Sequence, residues 1–243
     1  MNNSNNKVVI VTGGGTGIGR AITEKFVENG AQVLIVGRRK DPLEELAQRY
    51  PTKIRILQAD ITKAEDRKTI VHSTFNHFGK IDVLVNNAGV GLFGNIQEIT
   101  DENFEQSYLT NLIAPASLIR EALPHLATTK GSVINISSVV AKSVEFGSSA
   151  YACSKAALNQ LTRILAVELG PNGIRVNAVA PGTTKTDMTK RNIELNGKIL
   201  ASRTPMRRVG EPKDIARVVY LLVSEDAGWV TGQILDASGG SHL

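Results

Sequence analysis

The chain has 243 residues, 42% of them hydrophobic, and a formal net charge of +5; repeating α/β units commonly form one body of this length. Its single cysteine, Cys153, excludes an internal disulfide and fits a reducing, cytoplasmic setting in which it packs as a small apolar residue. The longest apolar run, Val218 to Val223, is too short to cross a membrane, and no nucleic-acid-binding module accompanies the positive charge. Residues 1–6, Met1 to Asn6, lack the basic and apolar parts of a signal peptide and read as a disordered tail.

Val8 to Val11 is a continuous β-branched run, which predicts a strand buried on both faces. It leads into Thr12-Gly-Gly-Gly-Thr-Gly-Ile-Gly19 and a helix predicted over Arg20 to Glu28. Glycines let a pyrophosphate approach the backbone, and the helix N-terminus offers free N–H groups and a positive dipole. The spacing Gly13-x3-Gly17-x-Gly19 differs from the widespread G-x-G-x-x-G. Its place at the first strand-to-helix turn points to a dinucleotide, with Gly13, Thr16, Gly17, Ile18 and Gly19 as candidate contacts.

The second strand, Gln32 to Val36, ends at Gly37-Arg38-Arg39-Lys40. An acid is usual here when the cofactor is NAD, to hold the ribose 2′-hydroxyl; arginines suit a 2′-phosphate instead. Arg38 and Arg39 therefore favour NADP over a merely solvated loop ahead of the helix at Asp41-Pro42. A third strand, Ile54 to Leu57, leads to Asp60-Ile61-Thr62. Thr62 with Glu65 forms an expected capping box for a helix running to Phe78. Asp60 lies where such sheets meet their ligands. After a fourth strand, Ile81 to Val85, comes Asn86-Asn87-Ala88-Gly89, either a plain turn or a tight turn beneath a ring.

The span from Asp101 to Leu126 carries apolar residues at helical spacing, with Asn111 and Pro115 interrupting it. A proline inside a helix invites a kink, so Asn111 is expected in a locally opened helix, serving structure or holding a water. Val133 to Ile136 predicts a strand closed by Ser137-Ser138, and a helix follows from Tyr151 to Leu169. Tyr151 and Lys155 share one face of that helix, and an ammonium beside a phenol is expected to lower its pKa. They are either a proton-transfer pair or an ordinary surface pair. Val176 to Val179 predicts the sixth strand, and Pro181-Gly182 leaves it. Residues 183–209 are basic and poor in apolar periodicity, which predicts a mobile lid over substrate; that charge either attracts an anionic ligand or is only solvated. A last helix from Glu211-Pro212 to Leu222 and a short strand, Gln233 to Leu235, complete a single domain over residues 7–243.

Taken together, Thr12-Gly13-x3-Gly17-x-Gly19, Asn86-Asn87-Ala88-Gly89, Ser138 with Tyr151-x3-Lys155, and Pro181-Gly182-x3-Thr186-x-Met188 resemble the short-chain dehydrogenase/reductase family, over nearly the whole chain. The resemblance implies an α/β Rossmann fold, a doubly wound parallel sheet of seven strands with helices on both faces, and a homotetramer. It implies that Tyr151 protonates a substrate carbonyl oxygen, that Ser138 hydrogen-bonds that oxygen, and that Asn111 supports a water in the proton relay. Lys155 would hold the nicotinamide ribose beside Tyr151. Asp60 and Ile61 would meet the adenine, and Asn87, Ala88 and Gly89 the adjoining ribose. Pro181, Gly182, Thr184 and Thr186 would lie at the nicotinamide end, and Arg38 resembles the NADP-preferring subset. No metal is implied.

The expected activity is hydride transfer between NADP(H) and a ketone, aldehyde or secondary alcohol. Val90, Leu92, Phe93, Val144, Phe146 and Met188 are candidates for an apolar substrate pocket, or for ordinary packing. One alternative is a 3-oxoacyl-(acyl-carrier-protein) reductase, with the carrier protein as partner; a patch of paired basic residues beside the site entrance would favour it, and the sequence alone does not place Lys130 or Arg175 there. Another, from a different class, is a nucleotide-binding redox sensor that does no chemistry.

Overall fold

The computed structural model describes residues 6–241; of the expected tail, Met1 to Asn5 lie outside the described residues. The strands are β1 (Val8–Thr12), β2 (Gln32–Gly37), β3 (Ile54–Gln58), β4 (Val83–Asn86), β5 (Ser132–Ile136), β6 (Arg175–Pro181) and β7 (Ile234–Ala237). Helices α1 (Gly17–Glu28), α2 (Asp41–Arg49) and α3 (Ala64–Phe78) alternate with the first strands. They are followed by α4 (Asp101–Tyr108), α5 (Ala114–Thr129), α6 (Ser149–Leu169), α7 (Lys190–Ser202) and α8 (Pro212–Val223). All strands pair in parallel, in the order β3-β2-β1-β4-β5-β6-β7.

Two cores explain why the strands read as unbroken apolar runs. Val9 and Val11 of β1 enter one of them, beside Ile22 and Phe26 of α1 and Ile215 and Val219 of α8. Ile10 enters the other, beside Ile70 of α3, Leu118 and Leu126 of α5 and Leu169 of α6. Helices on both faces of the sheet leave no position of β1, β4 or β5 for solvent, so alternation disappears there. Phe26 and Tyr220 close the first core with ring centroids 5.6 Å apart.

Several local expectations change. The Asp101–Leu126 helix is two helices joined by a π turn at Leu109–Ile113, so the expected opening around Asn111 is there. Pro115 falls in the first turn of α5, where a missing N–H is tolerated. The capping box at Thr62 does not form. The Thr62 hydroxyl instead donates to Asp60 Oδ1 at 2.8 Å, and α3 begins at Ala64 without a side-chain cap. Residues 183–209 contain a helix, α7, with none of its residues buried. Cys153 is exposed rather than packed inside, because it points away from the sheet on α6. Among the described residues no helix is long and apolar enough to cross a membrane, and no cluster of His, Cys, Asp and Glu could hold a metal ion.

Candidate active site

The carboxyl ends of the strands converge on one edge of the sheet, and the strand order reverses between β1 and β4. Open α/β sheets bind ligands at that reversal. A cleft of about 240 Å³ opens there, lined by Gly13, Thr16, Arg38, Arg39, Asp60, Ile61, Ala88 and Gly89 among the predicted residues. Val36, Gly37, Leu43 and Thr110 also line it. Sequence reasoning singles out Gly37 but misses Val36, Leu43 and Thr110, which lie in strand or helix interiors outside any motif.

The glycine turn is held from below. Thr12 Oγ1 accepts from the N–H groups of Asn87 and Ala88, both at 3.0 Å. Asn87 Nδ2 donates to the carbonyls of Thr12 and Gly13, at 2.8 and 3.2 Å. The Asn87 amide thus tethers β4 to the turn, with its donors spent on protein. Gly19 is required by proximity: a Cβ there would fall 2.1 Å from the Gly13 carbonyl oxygen. This contact seats the first turn of α1 against the end of β1. Thr16 is the N-cap of α1 yet makes no side-chain cap, and the first turn contains no acid. Gly17 and Ile18, as the first residues of α1, have no intrahelical acceptor for their N–H groups. This uncapped, positively polarised end beside a glycine-lined cleft fits a dinucleotide pyrophosphate.

Arg39 Nη2 lies 3.4 Å from Thr16 Oγ1 and 3.6 Å from Asp187 Oδ2, at the rim of the cleft. Burial pushes the Asp60 carboxyl upward, but hydrogen bonds from Thr62 and the charge of Arg38 outweigh it and hold the group below its ordinary range. No acid stands at Gly37 where β2 ends, and both arginines line the cleft there.

Beyond the cleft, β5 and α6 bring the chemistry together. Tyr151 stands in the first turn of α6, and the Ser138 hydroxyl at the end of β5 hydrogen-bonds its phenol. Lys155 is one turn further on, with Nζ donating to the Ile136 carbonyl at 2.8 Å and lying 5.9 Å from the Tyr151 ring centroid. Burial lowers the Lys155 pKa to about 8. The Tyr151 phenol is pushed up: burial dominates, the Ser138 hydrogen bond opposes it, and the charge of Glu145 adds to it. The expected lowering by Lys155 is therefore corrected. The ammonium points to Ile136, and a dry site disfavours the phenolate.

Asn111 sits fully buried in the π turn. Its Oδ1 accepts from Val90 N at 2.9 Å, while Nδ2 donates to the Val90 carbonyl and to Ser154 Oγ, at 2.9 and 3.0 Å. The Ser154 hydroxyl in turn donates to the Tyr151 carbonyl at 2.7 Å. Ser154 is absent from the sequence prediction, since serine inside a helix carries no distinctive signal. Pro115, lacking an N–H, cannot bond the Asn111 carbonyl one turn back. Gly89 passes closely here: a Cβ would lie 3.0 Å from Asn111 Oδ1 and 3.4 Å from Lys155 Nζ.

Pro181 ends β6 beside β7 and Gly182 follows it, neither among the residues lining the cleft. Thr184 is buried, its hydroxyl donating to the Gly182 carbonyl. Thr186 reaches back over α1, where a Cβ on Gly17 would meet it at 3.1 Å. Lys130 precedes β5 and Arg175 begins β6, so both lie at the strand-start end, away from the site of their own chain. Arg175 Nη1 is bonded to the carbonyls of Leu222 and Val230.

Comparison with known proteins agrees with this geometry. A family model described as Enoyl-(Acyl carrier protein) reductase matches residues 13–242. The chain is 39% identical to a 3alpha-hydroxysteroid dehydrogenase of Mediterraneibacter gnavus, over 98% of this chain and 97% of that one. It is 34% identical to a 3-oxoacyl-(acyl-carrier-protein) reductase of Thermotoga maritima, over 96% and 97%. A crystal structure from Brucella melitensis, described as a short-chain dehydrogenase/reductase and glucose/ribitol dehydrogenase, superposes with a TM-score of 0.96 at 31% identity, over 100% of both chains. With a seven-stranded doubly wound sheet, a glycine-turn cleft and Ser138, Tyr151 and Lys155 at its edge, the chain belongs to the short-chain dehydrogenase/reductase family, whose members are oxidoreductases that work with a nicotinamide cofactor.

Proposed function

We propose that the protein is an NADPH-dependent reductase of ketones or aldehydes, able to run in reverse on secondary alcohols. The observation that carries this reading is the hydrogen-bonded pair Ser138 and Tyr151 with buried Lys155 behind it, next to the dinucleotide cleft. NADPH, when bound, supplies the hydride to the carbonyl carbon. Tyr151, held as a phenol by its surroundings, gives its proton to the carbonyl oxygen as charge builds there. Ser138 Oγ donates to the same oxygen and orients it. Lys155 Nζ, beside Gly89, would hold a ribose hydroxyl, and Asn111 fixes the Val90 backbone and α6 relative to one another. Gly13, Thr16, Gly17, Ile18 and Gly19 would hold the pyrophosphate, Asp60 and Ile61 the adenine, Ala88 and Gly89 the sugar, and Thr184 and Thr186 the nicotinamide end.

Tyr151→Phe is expected to abolish turnover, assayed by NADPH absorbance, while NADPH still binds by fluorescence titration. Near-normal turnover in the folded variant would sink the mechanism. For cofactor choice, a charge-assisted hydrogen bond from Arg38 to a 2′-phosphate contributes about 1.5–3 kcal/mol. That corresponds to roughly 10- to 150-fold in preference for NADPH, and less where the arginine stays solvated. Arg38→Ala should weaken NADPH and leave NADH nearly unchanged. Equal kcat/KM for the two cofactors in wild type refutes the assignment.

A carrier-protein reductase is the second reading, favoured by the 34% identical relative from Thermotoga maritima. Lys130 and Arg175 do not supply its docking patch beside the same chain's site.

A further inference from the structure

A chain of buried side-chain hydrogen bonds joins β4, β5 and α6. Asn86 and Asn135 are partners in the pairing of β4 with β5, and Asn86 Nδ2 donates to Asn135 Oδ1 at 2.9 Å. Asn135 Nδ2 donates to Thr162 Oγ1 of α6, also at 2.9 Å, and the Thr162 hydroxyl donates to the Leu158 carbonyl at 2.8 Å. With its proton committed to Leu158, the Thr162 oxygen only accepts from Asn135, and this fixes the orientation of the Asn135 amide. All three side chains are buried, Asn135 and Thr162 completely. Val133, two residues earlier on the same face of β5, packs into the apolar core that takes Ala166 and Leu169 of α6. Asn135 and Thr162 are therefore polar exceptions on a face where apolar side chains carry no desolvation cost.

Thr162 follows Lys155 by about two helical turns and so shares its face of α6. Successive residues at the end of β5 grip that face. Asn135 holds Thr162, the Ile136 carbonyl accepts from Lys155 Nζ, and Ser137 Oγ donates to the Lys155 carbonyl at 3.5 Å. Ser138 comes next and bonds the Tyr151 phenol. Apolar contacts are non-directional and let a helix shift slightly on a sheet, whereas a hydrogen bond in a dry interior weakens steeply when its geometry slips. We propose that Asn135 and Thr162 are positioning residues for the reduction: their bond sets the height of α6 on β5 and so holds Tyr151 and Lys155 in register with Ser138. This rests on the reading of Tyr151 as the proton donor. Neither residue lines the dinucleotide cleft or the cavity beside Tyr151, so both act through α6.

The test compares Thr162→Val, which keeps the shape and removes the hydroxyl, with Thr162→Ser, which keeps the hydroxyl. NADPH-linked reduction of ethyl acetoacetate, or of whichever ketone wild type accepts, is followed at room temperature. NADPH affinity by fluorescence titration and thermal unfolding are measured on the same proteins. Because a misplacement of about 1 Å costs on the order of 100-fold in rate, Thr162→Val should lose at least about tenfold in kcat. Ketone KM and NADPH Kd should stay within about twofold, the pattern of an interaction felt only in the transition state. Thr162→Ser should restore most of the lost kcat. Thr162→Ala leaves room for a water on Asn135 Nδ2 and is read in the same way if the valine protein does not fold. A folded variant without the hydroxyl that has a lower Tm but wild-type kcat overturns the proposal, as does a loss that serine fails to restore. Tyr151→Phe separates the two readings. Normal turnover in that variant refutes Tyr151 as donor, and the positioning role with it; an inactive Tyr151→Phe beside a fully active Thr162→Val refutes the positioning role alone.

Discussion

At Lys155 the burial of an amine becomes a stability that depends on pH. Its folded pKa is about 8, against 10.5 for the free side chain. Below pH 8 both folded and unfolded chains hold the proton, and the fold carries the whole cost of a buried cation. Between about 8 and 10.5 the unfolded chain keeps a proton that the folded one has released, so stability rises with pH across that window. The shift corresponds to roughly 3 kcal/mol. Urea unfolding without cofactor should show wild type gaining on Lys155→Met from pH 7.5 to 10; parallel curves refute the buried-cation account. Tyr151 acts in the opposite sense at the top of this window: its pKa is raised in the fold, so its contribution is present below the unfolded value of 10.0 and is lost as pH rises past it. Residue types and spacing make the Tyr151-x3-Lys155 pair legible in the sequence. The direction in which Nζ points is not, because the Ile136 carbonyl that accepts its hydrogen bond is 19 residues away on a strand.

Among the elements, the π turn at Leu109–Ile113 ties the substrate side to the proton donor. Asn111 bonds Val90 N–H, Val90 C=O and Ser154 Oγ, so removing it strands the Val90 groups in a dry site and leaves Ser154 only its bond to the Tyr151 carbonyl. Each such loss costs about 1–3 kcal/mol, and partial relaxation brings the expected total for Asn111→Ala to about 2–4 kcal/mol in urea unfolding. Unchanged stability with impaired turnover would mean that Asn111 serves only a bound water. Asn111 and Pro115 forecast this opening in the sequence. The helix α7 is not forecast. Its apolar residues, such as Leu195 and Ile199, stay exposed, so no buried stripe marks a period. Thr62 misleads for the opposite reason: the local Thr-x-x-Glu pattern fits a cap, but the nearer carboxylate of Asp60 takes the hydroxyl.

For the whole molecule, two apolar surfaces remain uncovered on different elements. One joins Leu109 and Ile113 of the π turn to Ile164 and Val167 of α6, the last 78% exposed. The other joins Leu221 of α8, Leu235 of the edge strand β7 and Trp229, which is 101% exposed. Patches of this kind mark protein interfaces on soluble chains. A self-complementary patch closes a two-fold pair, and two independent two-fold pairs close a tetramer. One patch alone would give only a dimer. Light scattering at micromolar concentration should therefore report a mass near four times 26.1 kDa. Placing charges at the centre of one patch, in Ile164→Glu with Val167→Glu, should leave the other pairing intact and give a dimer, with the fold unchanged by circular dichroism. A wild-type monomer refutes the assembly. A double variant that stays tetrameric removes the α6 face from it.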